Sequence, residues 1–268
     1  MKTLASLFIP PIVSRFVARI GRPSSRPLII EANLKDCVHP YCGFRYGKQE
    51  YNPYETYQIA VHEGHSIQAA RREFIDFLRH YRPRHFGEAL GIHLTRPWAA
   101  CVYPWDDRDP GDWRNHGWRS NPDESPDLLT HFSEVGIQSF RIEEEFFWLE
   151  RALRSILFHG YHPERFGPAQ ALELRRKDGK SAFLLLDGNH RAGALVAIGV
   201  QRSLVVCCHA VVHEESVDSW PSVRAGRISR SDALKIFHAF FSGNTTWSRS
   251  PTPAPIIAPA QWCELYGI

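Results

Sequence analysis

The chain lacks a run of about 20 consecutive apolar residues, which a bilayer-spanning helix requires. Its first apolar stretch, Leu4 to Val13, is broken by Pro10 and Pro11, so no transmembrane helix forms there. A small-residue secretory cleavage site is also missing between Ala18 and Arg26. Charge of one sign is scarce, with 32 Lys and Arg against 29 Asp and Glu. Five of the basic residues, Lys2, Arg15, Arg19, Arg22 and Arg26, precede the first acid, Glu31, which leaves the body slightly acidic. Sequence-independent DNA binding draws its affinity from phosphate neutralisation, and that body does not supply it. Cysteine is sparse. The six residues Cys37, Cys42, Cys101, Cys207, Cys208 and Cys263 are scattered through 268 positions, a length that needs no disulfide staples, and this fits a reducing cytoplasm. Successive side chains on a strand point to opposite faces, so Cys207 and Cys208 read as small buried hydrophobes rather than a redox pair. What remains is an ordinary globular composition, 43% hydrophobic and 23% charged, which excludes collagen-like, coiled-coil and wholly disordered chains.

Residues 1–27 combine apolar side chains with basic ones and no acid. Two readings fit Ile12 to Arg22. One is an amphipathic segment peripheral to an anionic membrane face, with Phe16, Val17 and Ile20 inward and the arginines at headgroups; the other is a helix packed on the protein's own core. Ala70, Phe74, Phe77, Leu78 and Tyr81 share one helical face, and Pro83 ends that helix. His62-Glu63-Gly64-His65 falls one residue short of the zinc arrangement with two histidines one turn apart. Cys37, His39 and Cys42 offer three ligands without a second cluster of like spacing. Tyr103 to Asp127 is rich in Trp, Pro, Gly and Asp and reads as a long ordered loop. Its acids (Asp106, Asp107, Asp109, Asp112) suit magnesium and its indoles (Trp105, Trp113, Trp118) suit stacking; the plainer reading is a solvated loop pinned by buried indoles.

The most informative segment follows. Glu143 to His159 is an amphipathic helix with Phe146, Leu149, Leu153, Ile156 and Leu157 inward, Gly160 as its C-cap and Glu143, Glu144 and Glu145 in its first turn. Strands Ala171 to Leu174 and Ala182 to Leu186 flank an Asp178-Gly179 turn. Asp187-Gly188-Asn189-His190-Arg191 comes next, then a short apolar helix to Ile198 and the strand Leu204 to Val212. A strand, a glycine turn and an open helix N-terminus aim unpaired N–H groups and the positive end of the helix dipole at one point, which suits phosphate. Gly188 permits close backbone approach, His190 adds a donor, and Arg191 adds a planar fork matched to phosphate oxygens. Asp187 suits orienting a hydroxyl or holding a metal ion. The alternative is that Asp187 only caps the helix and that His190 and Arg191 pair with nearby acids.

Ser155-Ile156, Gly160-Tyr161, the Asp187 to Arg191 turn, Ala194, Gly199 and the strand after it resemble the ParB N-terminal domain and sulfiredoxin superfamily, over roughly Ile142 to Val212. Membership would imply an α/β fold of the α+β kind, a mixed sheet with packed helices, that binds nucleotide phosphates through Gly188, Asn189, His190 and Arg191. Sulfiredoxins carry their reactive cysteine where this chain has Asn189, which disfavours sulfinic acid repair. The partitioning proteins continue into a helix-turn-helix, whereas here one clear helix, Ser231 to Phe241, follows. Serine kinases of the superfamily carry an Asp-Gly-His-His-Arg turn, matched except at Asn189, and use a glutamate base; Glu143, Glu144 and Glu145 all lie near its place. Trp220-Pro221, Val223, Gly226, Ala233 and Phe237 to Phe241 are similar to ParB-like proteins found among polysaccharide-biosynthesis genes.

The expectation is therefore a cytoplasmic nucleotide-binding protein in four parts: 1–27; a mostly helical and loop-rich extension, 28–139; a ParB/sulfiredoxin-like domain, 140–243; and a Pro-rich tail, 244–268. Its leading activity is phosphoryl transfer from a nucleoside di- or triphosphate, ATP or ADP, to a small hydroxylated or glycan-related acceptor, with Mg2+ as the accompanying ion and Glu143, Glu144, Glu145, Asp187 and His190 as catalytic candidates. The alternatives are a nucleotide-gated interaction module without turnover and a ParB-like DNA-binding protein or nuclease. The oligomeric state stays open.

Overall fold

Buried positions run through Ala169–Arg175, Ser181–Asp187 and Ser203–His213, and strands covered on both faces occupy the middle of a sheet. They are β3, β4 and β5 of a computed structural model that describes residues 27–40, 42–47, 52–81, 85–98, 102–107, 139–199 and 203–243. The expectations for residues 1–26, for Cys101, Asp109, Asp112, Trp113 and Trp118 and for the tail from 244 lie outside the described residues. Two further strands, β1 (Leu28–Asn33) and β2 (Cys37–Val38), complete a five-stranded mixed sheet in the order β1-β5-β3-β4-β2. β1 runs antiparallel to β5, β5 parallel to β3, β3 antiparallel to β4, and β4 parallel to β2. The molecule is mixed α/β. The boundary expected at residue 139/140 is not a boundary of the sheet, because the stretch read as a helical, loop-rich extension supplies β1 and β2 at opposite edges.

Helices cover both faces of the sheet. On one side lie α1 (Pro53–His62), α2 (Ile67–His80), α4 (Ser139–His159) and α6 (Asn189–Ile198). On the other lie α3 (Phe86–Leu90) and α8 (Arg230–Ser242). A single turn, α5 (Pro163–Phe166), links α4 to β3, and α7 (Pro221–Arg224) precedes α8. Local chemistry sets the helix starts. Asn52 accepts from the amides of Tyr54 and Glu55 ahead of Pro53, and Ser229 accepts from the Asp232 amide at 3.0 Å, each cap worth about 1 kcal/mol. Asp232 is itself buried and accepts from the Thr95 amide at 3.0 Å, which fastens residues 94–98 to α8.

α4 buries Phe146, Leu149, Leu153 and Ile156, but Leu157 is 39% exposed. At 3.6 residues per turn, Leu157 falls on the flank of that stripe and Phe158 beyond it. Phe146 packs on Tyr57 and Phe74. Of the Trp-rich segment, the described part behaves as a core anchor: Trp105 is buried, stacked on Tyr103 at 5.1 Å and edge-on to Trp220. Among the described residues no helix is long and apolar enough to cross a membrane.

Candidate functional site

The hairpin β3–β4 returns the chain so that Asp187 ends beside the start of β3. The next residue must then turn sharply against Ala169. Gly188 has φ 95°, and a Cβ there would lie 2.6 Å from the Ala169 Cβ, so both backbone and space demand glycine. Helix α6 begins immediately, with Gly188 as an N-cap lacking any side-chain acceptor. No described residue accepts from the amides of Asn189, His190 and Arg191. Three donors and the positive end of the helix dipole therefore face the same point.

The side chains of the turn are all engaged. Asn189 is a structural tie: its Oδ1 accepts from the Tyr46 hydroxyl at 3.0 Å and its Nδ2 donates to the Leu185 carbonyl at 3.1 Å. His190 Nε2 shares a 2.8 Å hydrogen bond with Glu145 Oε1. Arg191 donates to the Gly167 carbonyl at 2.6 Å and to Asp187 Oδ2 at 3.2 Å, while Asp187 Oδ1 accepts from the Gly188 amide at 2.7 Å. The pairing of His190 and Arg191 with the protein's own acids, set out above as an alternative, is thus what the geometry contains. The two pairs differ in character. Glu145 and His190 are largely enclosed, whereas the Asp187 side chain is 53% exposed, and an ion pair open to water on one side contributes little.

Of the three consecutive glutamates 143–145, which lie beyond the first turn of α4 because the helix starts at Ser139, only Glu145 reaches the Gly188 turn. Glu143 is exposed and pairs with Arg71 at 3.0 Å, and Glu144 is exposed and accepts from the Trp148 indole. Helical geometry explains the split, since successive residues are rotated by about 100° and only one can face α6.

Four residues from the N-terminal part complete the site. Gln58 is fully buried and donates to the carbonyls of Leu149 and His190. Tyr46 holds Asn189. Glu55 is buried and accepts from the Gly47 amide at 2.8 Å; burial pushes its carboxyl up to about 7, the Gly47 hydrogen bond opposing. His39 stacks on Tyr54 at 4.8 Å and accepts from the Cys42 amide, and burial, then the neighbouring His190, pulls its imidazole down to about 3. It is a neutral neighbour of His190. In sequence His39 stood out only as a candidate metal ligand beside Cys37 and Cys42, the other three fall in an aromatic, polar stretch without a motif, and no spacing links any of them to a turn more than 130 residues away.

The arrangement holds no preassembled metal cage: among the described residues no three His, Cys, Asp or Glu side chains gather around a point. Cys37 donates to the Asn33 carbonyl, and burial raises its thiol far above the ordinary range, so it is a core residue. His65 turns to Glu63 at 3.5 Å. Cys207 and Cys208 are buried free thiols whose ionisation burial disfavours, Cys208 up to about 12. A cavity of about 830 Å³ lies on the opposite face of the sheet, between α3 and α8, lined by Leu90, Ile92, Leu234, Lys235 and His238 among others; it does not touch the α6 turn. Comparisons with protein-family models, with curated proteins and with solved structures find no match.

Proposed function

We propose that the turn from β4 into α6 binds the phosphates of a nucleoside di- or triphosphate, and that the chain transfers a phosphoryl group to a small hydroxylated acceptor. The observation that carries this reading is the conjunction of three unaccepted amides on α6 with the Arg191 guanidinium, held in place from behind by the Gly167 carbonyl. Together they form a site for a dianion. Phosphate entry exchanges one partner: its oxygens replace the exposed Asp187 carboxylate on Arg191, and the Gly167 anchor stays. The order of two antiparallel strands, glycine turn, helix and returning parallel strand supports a ParB/sulfiredoxin-like unit within the α/β fold, the superfamily that residues 142–212 resemble.

Phosphoryl transfer asks a protein mainly for positioning and charge stabilisation. In this reading the acceptor oxygen attacks the terminal phosphorus, the bond to the bridging oxygen breaks, and the departing nucleotide keeps that electron pair. Glu145 takes the hydroxyl proton, with His190 spreading the charge through their 2.8 Å hydrogen bond. The helix end and Arg191 meet the charge on the phosphate oxygens. Magnesium commonly binds through one or two carboxylates plus the substrate's phosphates, and Asp187 fits that role once Arg191 releases it.

Isothermal titration of ADP and ATP tests the reading. Arg191→Ala should weaken binding at least about tenfold, the scale of a lost charge-assisted contact, and wild-type affinity in that variant removes the site; His190→Ala, which disturbs only the partner of Glu145, should slow transfer while largely sparing affinity. A second reading, a nucleotide-gated module without turnover, is favoured by one observation. Arg191 already has a carboxylate partner, so ligand entry is a swap that releases the exposed Asp187 to engage a partner molecule. Tight binding with no nucleotide consumed across a panel of hydroxylated acceptors would select the module.

A further inference from the structure

Phosphate binding at α6 leaves open whether the ligand carries a ring, and the loop from Gly160 to Pro168 bears on that question. The loop is tied at both ends. The Tyr161 hydroxyl lies 3.2 Å from the Val205 amide and 3.4 Å from the Val205 carbonyl, and the Gly167 carbonyl receives Arg191 at 2.6 Å. Between these ties α5 is one short turn, with Pro163 at its start and the amides of Arg165 and Phe166 both donating to the His162 carbonyl. None of its residues is buried. The turn nevertheless presents Phe166, 55% exposed, with the Arg165 guanidinium 5.2 Å from the ring centroid. A single exposed apolar side chain is ordinary. This one is the residue directly before the carbonyl that grips the anion fork, so its Cα lies about 3.8 Å from that of Gly167. Gly167 sits at φ 79°, with open space where a side chain would be.

We propose that Phe166 is the platform on which the base of the bound nucleotide stacks, with Arg165 as its cationic partner. The inference rests on the phosphate reading above and deepens it, by making the ligand a nucleotide rather than a phosphorylated sugar or a bare polyphosphate. Every nucleobase has a π-face, so an exposed ring beside a phosphate site recognises the class while tolerating the base. A guanidinium adds attraction for the same stack. The ties at Tyr161 and Gly167 hold the loop before the ligand arrives, which reduces the ordering cost of binding.

Titration of the full chain with ADP and with inorganic tripolyphosphate separates the two levels. Phe166→Leu keeps an apolar side chain and removes the π-face; being exposed, it leaves the core intact. The expected result is about a tenfold loss of ADP affinity, the scale of one lost base stack, with tripolyphosphate affinity unchanged and with Phe166→Trp binding ADP at least as tightly as the wild type. Equal losses for both ligands, or none for either, would overturn the platform and leave the anion site standing. A wild-type chain that binds neither ligand would overturn both.

Discussion

Gln58 holds the main-chain carbonyl of His190 at 3.1 Å, and the same side-chain amide reaches the Leu149 carbonyl at 2.9 Å. Leu149 is one helical turn beyond Glu145. One buried group thereby fastens α4 to α6 at the level where Glu145 meets His190. Its oxygen, Oε1, has no hydrogen-bond partner among the described residues and lies against Gly193, where a Cβ would fall 2.2 Å from it.

Gly193→Ala should therefore destabilise the fold by about 1–3 kcal/mol, the usual range for overpacking. Adding Gln58→Ala should remove the collision and make the pair less damaging than the sum of its parts. Urea unfolding of the two single variants and the double variant measures this, and strict additivity would show that the contact does not govern the packing.

Gly188→Ala meets two obstacles together, a backbone at φ 95° and the Ala169 Cβ at 2.6 Å. A loss of roughly 2 kcal/mol or more is expected, with overpacking added to the cost of a left-handed conformation. Thermal unfolding checks it. A melting temperature unchanged from the wild type would mean that the turn accepts a side chain after all.

Asp187→Asn removes the charge that competes for Arg191. Tripolyphosphate should bind about two- to fivefold more tightly without magnesium, in keeping with the modest worth of an exposed pair. With magnesium present the gain should shrink or reverse, because the lost carboxylate is the one placed to share the ion. Titration with and without the cation distinguishes the two roles of this side chain.

Two buried groups should give stability opposite pH dependences. Glu55, raised to about 7 from an ordinary 4.5, stays protonated in the folded chain while the unfolded chain ionises, so its contribution falls between about pH 4.5 and 7 and is level above. His39, lowered to about 3 from 6.5, stays neutral while the unfolded chain protonates, so its contribution falls as pH drops from about 6.5 towards 3. Glu55→Gln should then stabilise at pH 8, by an order of 1–3 kcal/mol, and gain nothing near pH 4. His39→Phe should flatten the acid side alone. Urea unfolding at pH 4, 6 and 8 reads both slopes.

The periodic elements were legible. The apolar runs of β3, β4 and β5 and the stripe of α4 follow from local rules, and the turn at Gly188 announced itself because only glycine satisfies it. Leu157 was misplaced since it sits where a stripe shades into its flank. β2 escaped notice because two residues, Cys37–Val38, carry no period at all. Gln58, Tyr46 and Glu145 show the deeper limit. Each contributes through a hydrogen bond spanning 45 to 143 positions, and such a bond leaves no mark on the spacing of neighbouring residues. Sequence could place a glutamate near the turn but not choose among three consecutive ones, a choice made by helix rotation alone.

The sheet's rims come from one short stretch, 28–38, while its middle comes from 169–213. Cutting away the N-terminal part would leave β5 without β1 and β4 without β2 and bare hydrogen-bonding borders on strands built for burial, a recipe for self-association. The same cut would take away Tyr46 and Gln58, so even a refolded remnant would carry the Gly188 turn without the braces that aim it.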